Sequence, residues 1–320
     1  MKLSILDQSP IPYGKTAEES LSASIELAKM ADTLGYKRYW IAEHHDMSGL
    51  ACPAPDIMLS RIGAETENIR IGAGAVLLLH YRPYNIAERY NMLAVLYPDR
   101  VDLGIGRAPG GSAEATIALS GNFLENVSKM PETLDELLSF FEGNFPKDHM
   151  YSAINPSPVP KVSPEPWLLG TSEKSGILAA EKGIPYAFGH FMSEQDGPEI
   201  VKRYHANTKS GKSLVAVSVI CAETTKEAEE LALSSQLWKI QQAKGEGKKG
   251  VPTVEEARAY NFSDEKKNDK IIAGNSGVVK QELEVLQEKY QTDEFMIVTI
   301  THSFEARRKS YELIAKAFGL

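Results

Sequence analysis

Short apolar runs alternate with longer stretches of helical periodicity along most of the chain. Runs rich in β-branched and aromatic residues, bounded by turn-forming residues, are typical of strands, and an apolar position every three or four residues indicates a helix. The predicted strands are 2–7, 39–43, 69–76, 101–105, 167–169, 185–188, 214–221 and 294–300. The predicted helices are 16–34, 56–65, 84–96, 131–141, 173–182, 199–209, 226–241, 278–290 and 305–318.

The repeated strand–helix order indicates a parallel sheet covered by helices. Eight such units in 320 residues suit a closed (β/α)8 TIM barrel, whose usual size is ~250 residues and grows with insertions. An open doubly wound sheet is the alternative. Its dinucleotide-binding form is disfavoured, because no G-x-G-x-x-G turn follows the first strand. We therefore expect residues 1–320 to form a single α/β barrel domain.

Two segments interrupt this rhythm. Residues 108–166 are rich in Gly, Asn, Pro and Ser, and residues 242–270 are charged and only partly periodic. Loops this long inside a compact domain are usually functional or disordered. Residues 244–250 contain three glycines and little apolar side chain to offset the entropy of ordering. We predict that 108–166 and 242–270 are insertions, and that 242–270 forms a mobile lid.

Charge and composition narrow the class of function. The formal net charge is 35 − 43 = −8, which disfavours nucleic acid and anionic membranes as partners. The longest apolar run, 73–79, is far shorter than the ~20 residues of a membrane span. The N-terminus lacks the features of a signal peptide. The two cysteines, Cys52 and Cys221, fit a reducing compartment, so we expect a cytoplasmic protein that acts on small molecules.

In a barrel of this type the chemistry lies at the C-terminal ends of the strands. His44 and His45 follow the second strand. Neighbouring residues of a strand point to opposite sides, so one histidine is expected to face the barrel mouth. A histidine near its unperturbed pKa suits general acid–base catalysis. No cysteine pair or second histidine at metal-ligand spacing accompanies them, so no metal is expected.

The third and fourth strands end in small residues. Ala73, Gly74 and Ala75 could leave room for a flat ligand or could simply pack against large neighbours, and the sequence leaves both open. Arg107 follows the fourth strand among glycines. A guanidinium there could donate several hydrogen bonds to a phosphate, and glycines allow the chain to approach an anion closely.

The fifth and sixth strand ends offer further polar groups. Gly170, Thr171 and Ser172 open a helix. Ser172 is a good N-cap, and the same helix start could present N–H groups and hydroxyls to a phosphate. The usual phosphate site of such barrels lies later, after strands seven and eight. His190 follows the sixth strand and could either contact a ligand or be an ordinary hydrogen-bonded histidine.

Together these strand ends resemble the bacterial luciferase-like flavin monooxygenase family, over nearly the whole chain. The residues that carry the resemblance are Trp40-Ile41-Ala42-Glu43-His44-His45, Ile71-Gly72-Ala73-Gly74-Ala75-Val76, Arg82-Pro83 through Glu88, Leu96-Tyr97-Pro98-Asp99-Arg100-Val101-Asp102-Leu103-Gly104-Ile105-Gly106-Arg107, Leu169-Gly170-Thr171-Ser172 and Pro185-Tyr186-Ala187-Phe188-Gly189-His190-Phe191. The Arg107-Ala108-Pro109-Gly110-Gly111 string is similar to the uncharacterised bacterial branch rather than to the light-emitting subunits.

The resemblance implies an enzyme that binds reduced FMN at the mouth and uses O2, through a flavin C4a-peroxide, to oxidise an organic substrate. A separate reductase usually supplies the flavin in this family. His44, rather than His45, matches the catalytic histidine. Arg107, Thr171 and Ser172 match the phosphate contacts, and a cis peptide is expected between Gly74 and Ala75 beneath the ring. A homodimer through helices 56–65 and 84–96 is also implied.

Other readings stay open from the sequence. A deazaflavin (F420)-dependent oxidoreductase shares this barrel and a histidine at the same strand end, and a non-catalytic flavin-binding barrel is a third possibility. The chain departs from the luciferases in its shorter 108–166 segment and in Gly106, where they have a cysteine. Aldehyde oxidation and light emission are therefore not expected, and the sequence does not identify the substrate.

Overall fold

The computed structural model describes residues 1–246, 249–262 and 270–320. Its strands are β1 (Lys2–Asp7), β2 (Arg38–Ile41), β3 (Arg70–Leu77), β4 (Val101–Gly106), β5 (Glu165–Gly170), β6 (Tyr186–Gly189), β7 (Ser213–Cys221), β8 (Ile271–Gly274) and β9 (Glu294–Val298). Its α-helices are α1 (Ala17–Leu34), α2 (Pro55–Ala64), α3 (Pro83–Leu96), α4 (Ala113–Ser120), α5 (Phe123–Ser128), α6 (Met130–Glu142), α7 (Glu173–Lys182), α8 (Gly197–Asn207), α9 (Thr225–Ala243), α10 (Val254–Ala259), α11 (Ser276–Tyr290) and α12 (Phe304–Phe318).

Eight parallel strands close into a barrel. Strands β1 to β7 pair in sequence order, β7 pairs with β9, and β9 pairs with β1. The remaining strand, β8, pairs with the C-terminal half of β7, beginning with Ile271 opposite Ser218. Because the sheet has no open edge between β6 and β7, the (β/α)8 barrel prediction is confirmed and the doubly wound alternative is wrong.

The predicted strands and helices are all present, with end shifts of a few residues. The pattern missed β8, whose four residues follow a charged segment and are too few to show a period. It also missed α4, α5 and α10, which lie in the two segments that were predicted to be insertions. Cap chemistry agrees with the helix ends: Thr16 and Glu19 form a capping box at the start of α1.

The barrel interior changes in character from bottom to top. At the bottom, where the strands start, Arg38 forms ion pairs with Asp102 and Glu294 at 2.8 Å each. Above them Trp40 and Trp167 meet edge to face, with ring centroids 5.6 Å apart. The side chains that share this inner cluster are Leu6, Ala42, Ala187, Leu214, Ala216, Met296 and Val298. The interior is thus filled at the bottom and middle, as in other barrels of this fold.

The top of the interior carries small residues. Gly104 and Gly106 follow Asp102 on the inner face of β4, and Gly74 takes the corresponding place on β3. Large side chains are therefore confined to the lower layers at these strands. This arrangement keeps bulk away from the mouth of the barrel, where the candidate residues lie.

Candidate active site at the barrel mouth

His44 lies just beyond β2, in the loop that leads to α2. Its backbone N–H donates to the Cys52 carbonyl at 3.0 Å. Its Nδ1 atom is buried and finds no hydrogen-bond partner in the part of the chain that the structure describes. Burial, with a smaller contribution from neighbouring His45, lowers the pKa of His44 from 6.5 to about 4. At neutral pH His44 is therefore uncharged.

His45 has a different environment. Its Nε2 lies 2.8 Å from Oε1 of Glu43. Glu43 is only 3% exposed and also accepts hydrogen bonds from the Tyr81 hydroxyl, at 2.8 Å, and from the Leu77 backbone, at 3.1 Å. The two adjacent histidines therefore differ as alternation predicts: His45 is held by a buried carboxylate, whereas Nδ1 of His44 is left without a partner. The catalytic role of His44 remains a prediction.

The third strand contains the expected cis peptide bond between Gly74 and Ala75. A Cβ atom at Gly74 would lie 2.6 Å from Leu6 Cδ1, so packing inside the barrel accounts for this glycine. The Ala73 side chain is fully buried in the cluster between barrel and helices. Three small residues were predicted to bind a cofactor. Gly74 and Ala75 face the barrel interior, whereas Ala73 faces the helices and presents only its backbone to the interior.

Arg107 follows the last residue of β4 and is exposed. None of the residues that the structure describes forms an ion pair or hydrogen bond with its guanidinium. Strand β4 pairs with β5 so that Ile105 lies opposite Leu168, which brings Arg107 level with Gly170. The backbone at Arg107 therefore lies level with the turn that opens α7.

The turn at the start of α7 is built on close contacts. A Cβ atom at Gly170 would lie 2.1 Å from Ser175 Oγ, so only glycine fits there. The Thr171 carbonyl accepts a hydrogen bond from the Ser193 hydroxyl at 2.7 Å. The Glu173 N–H donates to the Gln195 side chain at 3.1 Å. The Ser172 N–H donates to Ser175 Oγ at 3.3 Å, so two N–H groups at this helix start are already used inside the protein. Phosphate binding by Thr171 and the N-cap Ser172 stays a prediction.

His190 begins a short 3-10 turn after β6. Its Nδ1 lies 2.8 Å from the hydroxyl of Tyr290, the last residue of α11. This contact fixes the imidazole ring, as expected for a hydrogen-bonded histidine. Contact between His190 and a cofactor stays a prediction.

The candidate residues come from the ends of β2 to β6, five strands that are neighbours around the barrel. The structure therefore brings them to one side of one mouth. Sequence reasoning missed Glu43, Tyr81 and Gln195 as parts of this site. Glu43 carried a usable signal, because a carboxylate directly after a fully apolar strand is expected to be buried and bonded. The partners of Tyr81 and Gln195 depend on loop paths that the sequence does not show.

A pocket of about 740 Å3 lies at the opposite face, where the strands begin. Its charged residues bond to one another: Arg70 donates to Asp102, and Lys212 pairs with Glu165. These pairs close the bottom of the barrel. Because barrels of this fold carry chemistry at the C-terminal face, the mouth is the candidate site.

The described part of the 242–270 segment reaches the mouth. Val251 exchanges backbone hydrogen bonds with Ile11 and Tyr13, both at 2.8 Å, in the loop that follows β1. Trp238 of α9 packs with Leu50 and Val251. These contacts anchor the described part of the segment beside the loop that follows β1, and a lid role for the segment stays a prediction. Residues 247–248 and 263–269 lie outside the described residues, so mobility of the segment stays a prediction.

The mouth therefore offers an uncharged histidine and an unpaired arginine above a barrel interior that is lined by small residues. These features suit a flat anionic ligand. Comparison with known proteins agrees with this class of site. The model of the family described as "Luciferase-like monooxygenase" matches residues 1–288 of the chain. The Bacillus subtilis protein YceB, itself uncharacterised, is 40% identical over 99% of both chains. N-acetyl-S-alkylcysteine monooxygenase of the same organism is 36% identical over 99% of this chain and 98% of the relative.

A solved structure matches the chain over its full length. Apo-MsnO8 superposes with a TM-score of 0.92 at 34% identity, covering 100% of this chain and 98% of MsnO8. The chain belongs to the luciferase-like monooxygenase family, and this membership makes it a flavin-dependent monooxygenase. In the described residues, no helix is long and apolar enough to cross a membrane.

Two more distant barrels share the fold alone. The oxygenating constituent of 3,6-diketocamphane monooxygenase from Pseudomonas putida, solved with FMN, has a TM-score of 0.73 at 20% identity and covers 99% and 97% of the two chains. An F420-dependent secondary alcohol dehydrogenase, solved with an F420–acetone adduct, has a TM-score of 0.72 at 12% identity and covers 99% and 98%. The fold thus accepts both kinds of flavin.

Proposed function

We propose that this protein binds reduced FMN at the barrel mouth and uses O2 to oxidise a small organic substrate in the cytoplasm, with the reduced flavin supplied by a separate reductase. The observation that carries the proposal is the buried Nδ1 of His44, which finds no partner among the described residues, at the same mouth as the unpaired Arg107 guanidinium. Buried polar groups are normally hydrogen-bonded, so the state of His44 fits a site that is completed by a ligand. Arg107 is exposed to water and is available to an anion.

The residues present fit FMN. Arg107 would bind the phosphate together with Thr171 and Ser172, since a guanidinium offers several donors to phosphate oxygens and a helix N-terminus adds a favourable dipole. Gly74, Ala75 and Gly170 would lie along the flat ring system, where a larger side chain would interfere. His190, fixed by Tyr290, would face the same ligand from the next strand.

A bound flavin supplies the oxygen chemistry, and the protein supplies orientation, proton transfer and shielding. His44 would take part in proton transfer near the substrate, and its buried Nδ1, which finds no partner among the described residues, is the atom available for that contact. The 242–270 segment would cover the mouth and keep water from the reacting centre. Its residue Val251 already pairs with the loop that follows β1.

The substrate class can be approached through the relatives. N-acetyl-S-alkylcysteine monooxygenase covers the full length of this chain at 36% identity, so N-acylated thioether amino acids are the first compounds to test. The alternative of a deazaflavin-dependent oxidoreductase rests on fold likeness only.

One titration separates the cofactor candidates. The purified protein is titrated with FMN and with F420 while the absorbance and fluorescence of each flavin are followed. We expect FMN to be retained and F420 to bind weakly, because the site offers one phosphate-binding arginine at the end of β4. Retention of F420 without retention of FMN would overturn the proposal in favour of the deazaflavin alternative.

We also propose that the protein is a homodimer that uses α2 and α3. These helices expose large apolar side chains: Ile57 is 69% exposed, Met92 51% and Leu96 55%. Exposed apolar side chains gathered on neighbouring helices are typical of an interface.

A further inference from the structure

Four side chains beside the mouth are bonded to one another and have no role in the function proposed above. Glu43 accepts hydrogen bonds from His45 and Tyr81 at 2.8 Å each. The His45 ring meets the His80 ring edge to face, with centroids 5.7 Å apart. We call Glu43, His45, Tyr81 and His80 the mouth cluster. It links the loop after β2 to the turn after β3.

The mouth cluster holds the loop that follows Arg107. Nε2 of His80 lies 2.8 Å from the Pro109 carbonyl oxygen. The His45 backbone N–H donates to the Gly110 carbonyl at 2.8 Å. Two residues of the cluster therefore fix the loop within three residues of Arg107.

The contact between loop and cluster is too close for side chains. A Cβ atom at Gly111 would lie 2.0 Å from the His45 carbonyl oxygen. Gly110 has a φ of 71°, which favours glycine. At the far end, the Ser112 hydroxyl donates to Asp46 at 2.6 Å. The path of the loop is therefore set by the position of His45.

Arg107 itself lacks any such support. Its side chain is exposed, and across the described ranges no carboxylate or hydrogen-bond acceptor holds it. The position of its Cα atom is consequently set by β4 before it and by the loop after it, which the mouth cluster holds. Whatever fixes the loop also limits where the guanidinium can lie.

We propose that His45, Glu43 and His80 are positioning residues that fix Arg107 for the phosphate of the flavin. The proposal rests on the proposed function. It assigns different tasks to the two adjacent histidines: Nδ1 of His44 faces the chemistry, whereas Nε2 of His45 is occupied by Glu43 and acts through the loop. Tyr81 supports the cluster by sharing the same carboxylate oxygen.

The test compares FMN with riboflavin, which has the same ring system and lacks the phosphate. His80→Ala removes the hydrogen bond to the Pro109 carbonyl. His45→Ala keeps the backbone bond to Gly110 but removes the side-chain contacts with Glu43 and His80 that hold the His45 backbone in place. We call these two the clamp variants, and each is titrated with both ligands. We expect FMN affinity to fall about tenfold, as for a misplaced charge-assisted contact, and riboflavin affinity to stay unchanged. His205→Ala is the matched control, since His205 also makes one hydrogen bond, to Ser213 at 2.9 Å, at the opposite end of the barrel.

A double-mutant cycle with Arg107→Ala shows whether the effect passes through the arginine. In the Arg107→Ala background, His45→Ala should cause no further loss of FMN affinity. An equal loss of affinity for FMN and for riboflavin in both clamp variants would overturn the proposal, because it would indicate general damage to the mouth. If Arg107→Ala leaves the FMN-to-riboflavin ratio unchanged, the proposed function itself fails. If only the clamp variants leave that ratio unchanged, the positioning role alone is overturned.

Discussion

At the level of single residues, His44 and His45 are neighbours in the chain with opposite surroundings: a buried carboxylate holds His45, and the buried Nδ1 of His44 finds no partner among the described residues. Alternation along a strand predicts that neighbouring side chains meet different surroundings, and the structure gives them different partners. The partners themselves could not be predicted. Glu43 is bonded by Leu77 and Tyr81, which lie 34 and 38 residues further along the chain, and such contacts exist only once the loops have folded.

The lowered pKa of His44 predicts a specific pH dependence of stability. A histidine whose folded-state pKa lies below its unfolded value binds fewer protons when folded, so stability falls as the pH drops from 6.5 towards about 4. Between pH 7 and pH 5 this contribution amounts to about 2 kcal/mol. In His44→Gln that part of the pH dependence should disappear. Urea denaturation of both proteins at the two pH values measures it, and identical pH dependence in the two would contradict the assignment.

At the level of secondary-structure elements, the alternation of strand and helix was enough to predict the barrel. It was not enough for β8, which has four residues, or for α4 and α5, which follow a glycine-rich turn. The sequence pattern also could not predict contacts between elements that are distant along the chain. Asp7 at the end of β1 pairs with Arg307 of α12 at 2.5 Å, although 300 residues separate them. Both are almost fully buried.

Loss of the Arg307 side chain should destabilise the protein strongly. Burial would raise the pKa of Asp7, but Arg307 and hydrogen bonds from its neighbours hold that pKa below its usual value. Arg307→Leu leaves the carboxylate buried and unpaired, which costs about 3–5 kcal/mol at pH 7. The deficit should shrink towards pH 4, where the unpaired carboxyl can take up a proton.

Chemical denaturation of Arg307→Leu measures this loss. Arg308→Ala is the control, because Arg308 is exposed and lies 3.6 Å from Glu312, and exposed pairs contribute little. Adding Asp7→Asn to Arg307→Leu should restore part of the stability. A loss in Arg307→Leu no larger than that in Arg308→Ala would show that the buried pair does not support the junction of β1 and α12.

At the level of the whole molecule, the layers of the barrel explain where a ligand can enter. Paired charges close the bottom, Trp40 and Trp167 fill the middle, and small residues at the top keep bulky side chains away from the mouth. The position of the site follows from the fold, whereas its walls depend on the 108–166 and 242–270 segments. Local sequence pattern could not predict how those segments pack, as the contact of Val251 with the loop after β1 shows.

The proposed dimer gives a prediction at this scale. Met92→Glu places a charge on an exposed apolar position of α3 and should convert the dimer to a monomer, because a buried unpaired charge opposes association. Light scattering after size-exclusion chromatography measures the mass. Val285→Glu, at a similarly apolar position of α11 that is 38% exposed, should remain dimeric. A wild-type protein that is monomeric at all concentrations would contradict the interface.

The proposed site binds FMN through a phosphate that Arg107 holds. FMN titration of the wild type and of Arg107→Ala, monitored by flavin fluorescence, tests this contact directly. Removal of a charge-assisted contact to phosphate should weaken FMN binding by about 2 kcal/mol, roughly 30-fold. The ultraviolet circular dichroism of the variant should match that of the wild type, since the Arg107 side chain makes no contact that supports the fold. Equal FMN affinity in the two proteins would contradict the account.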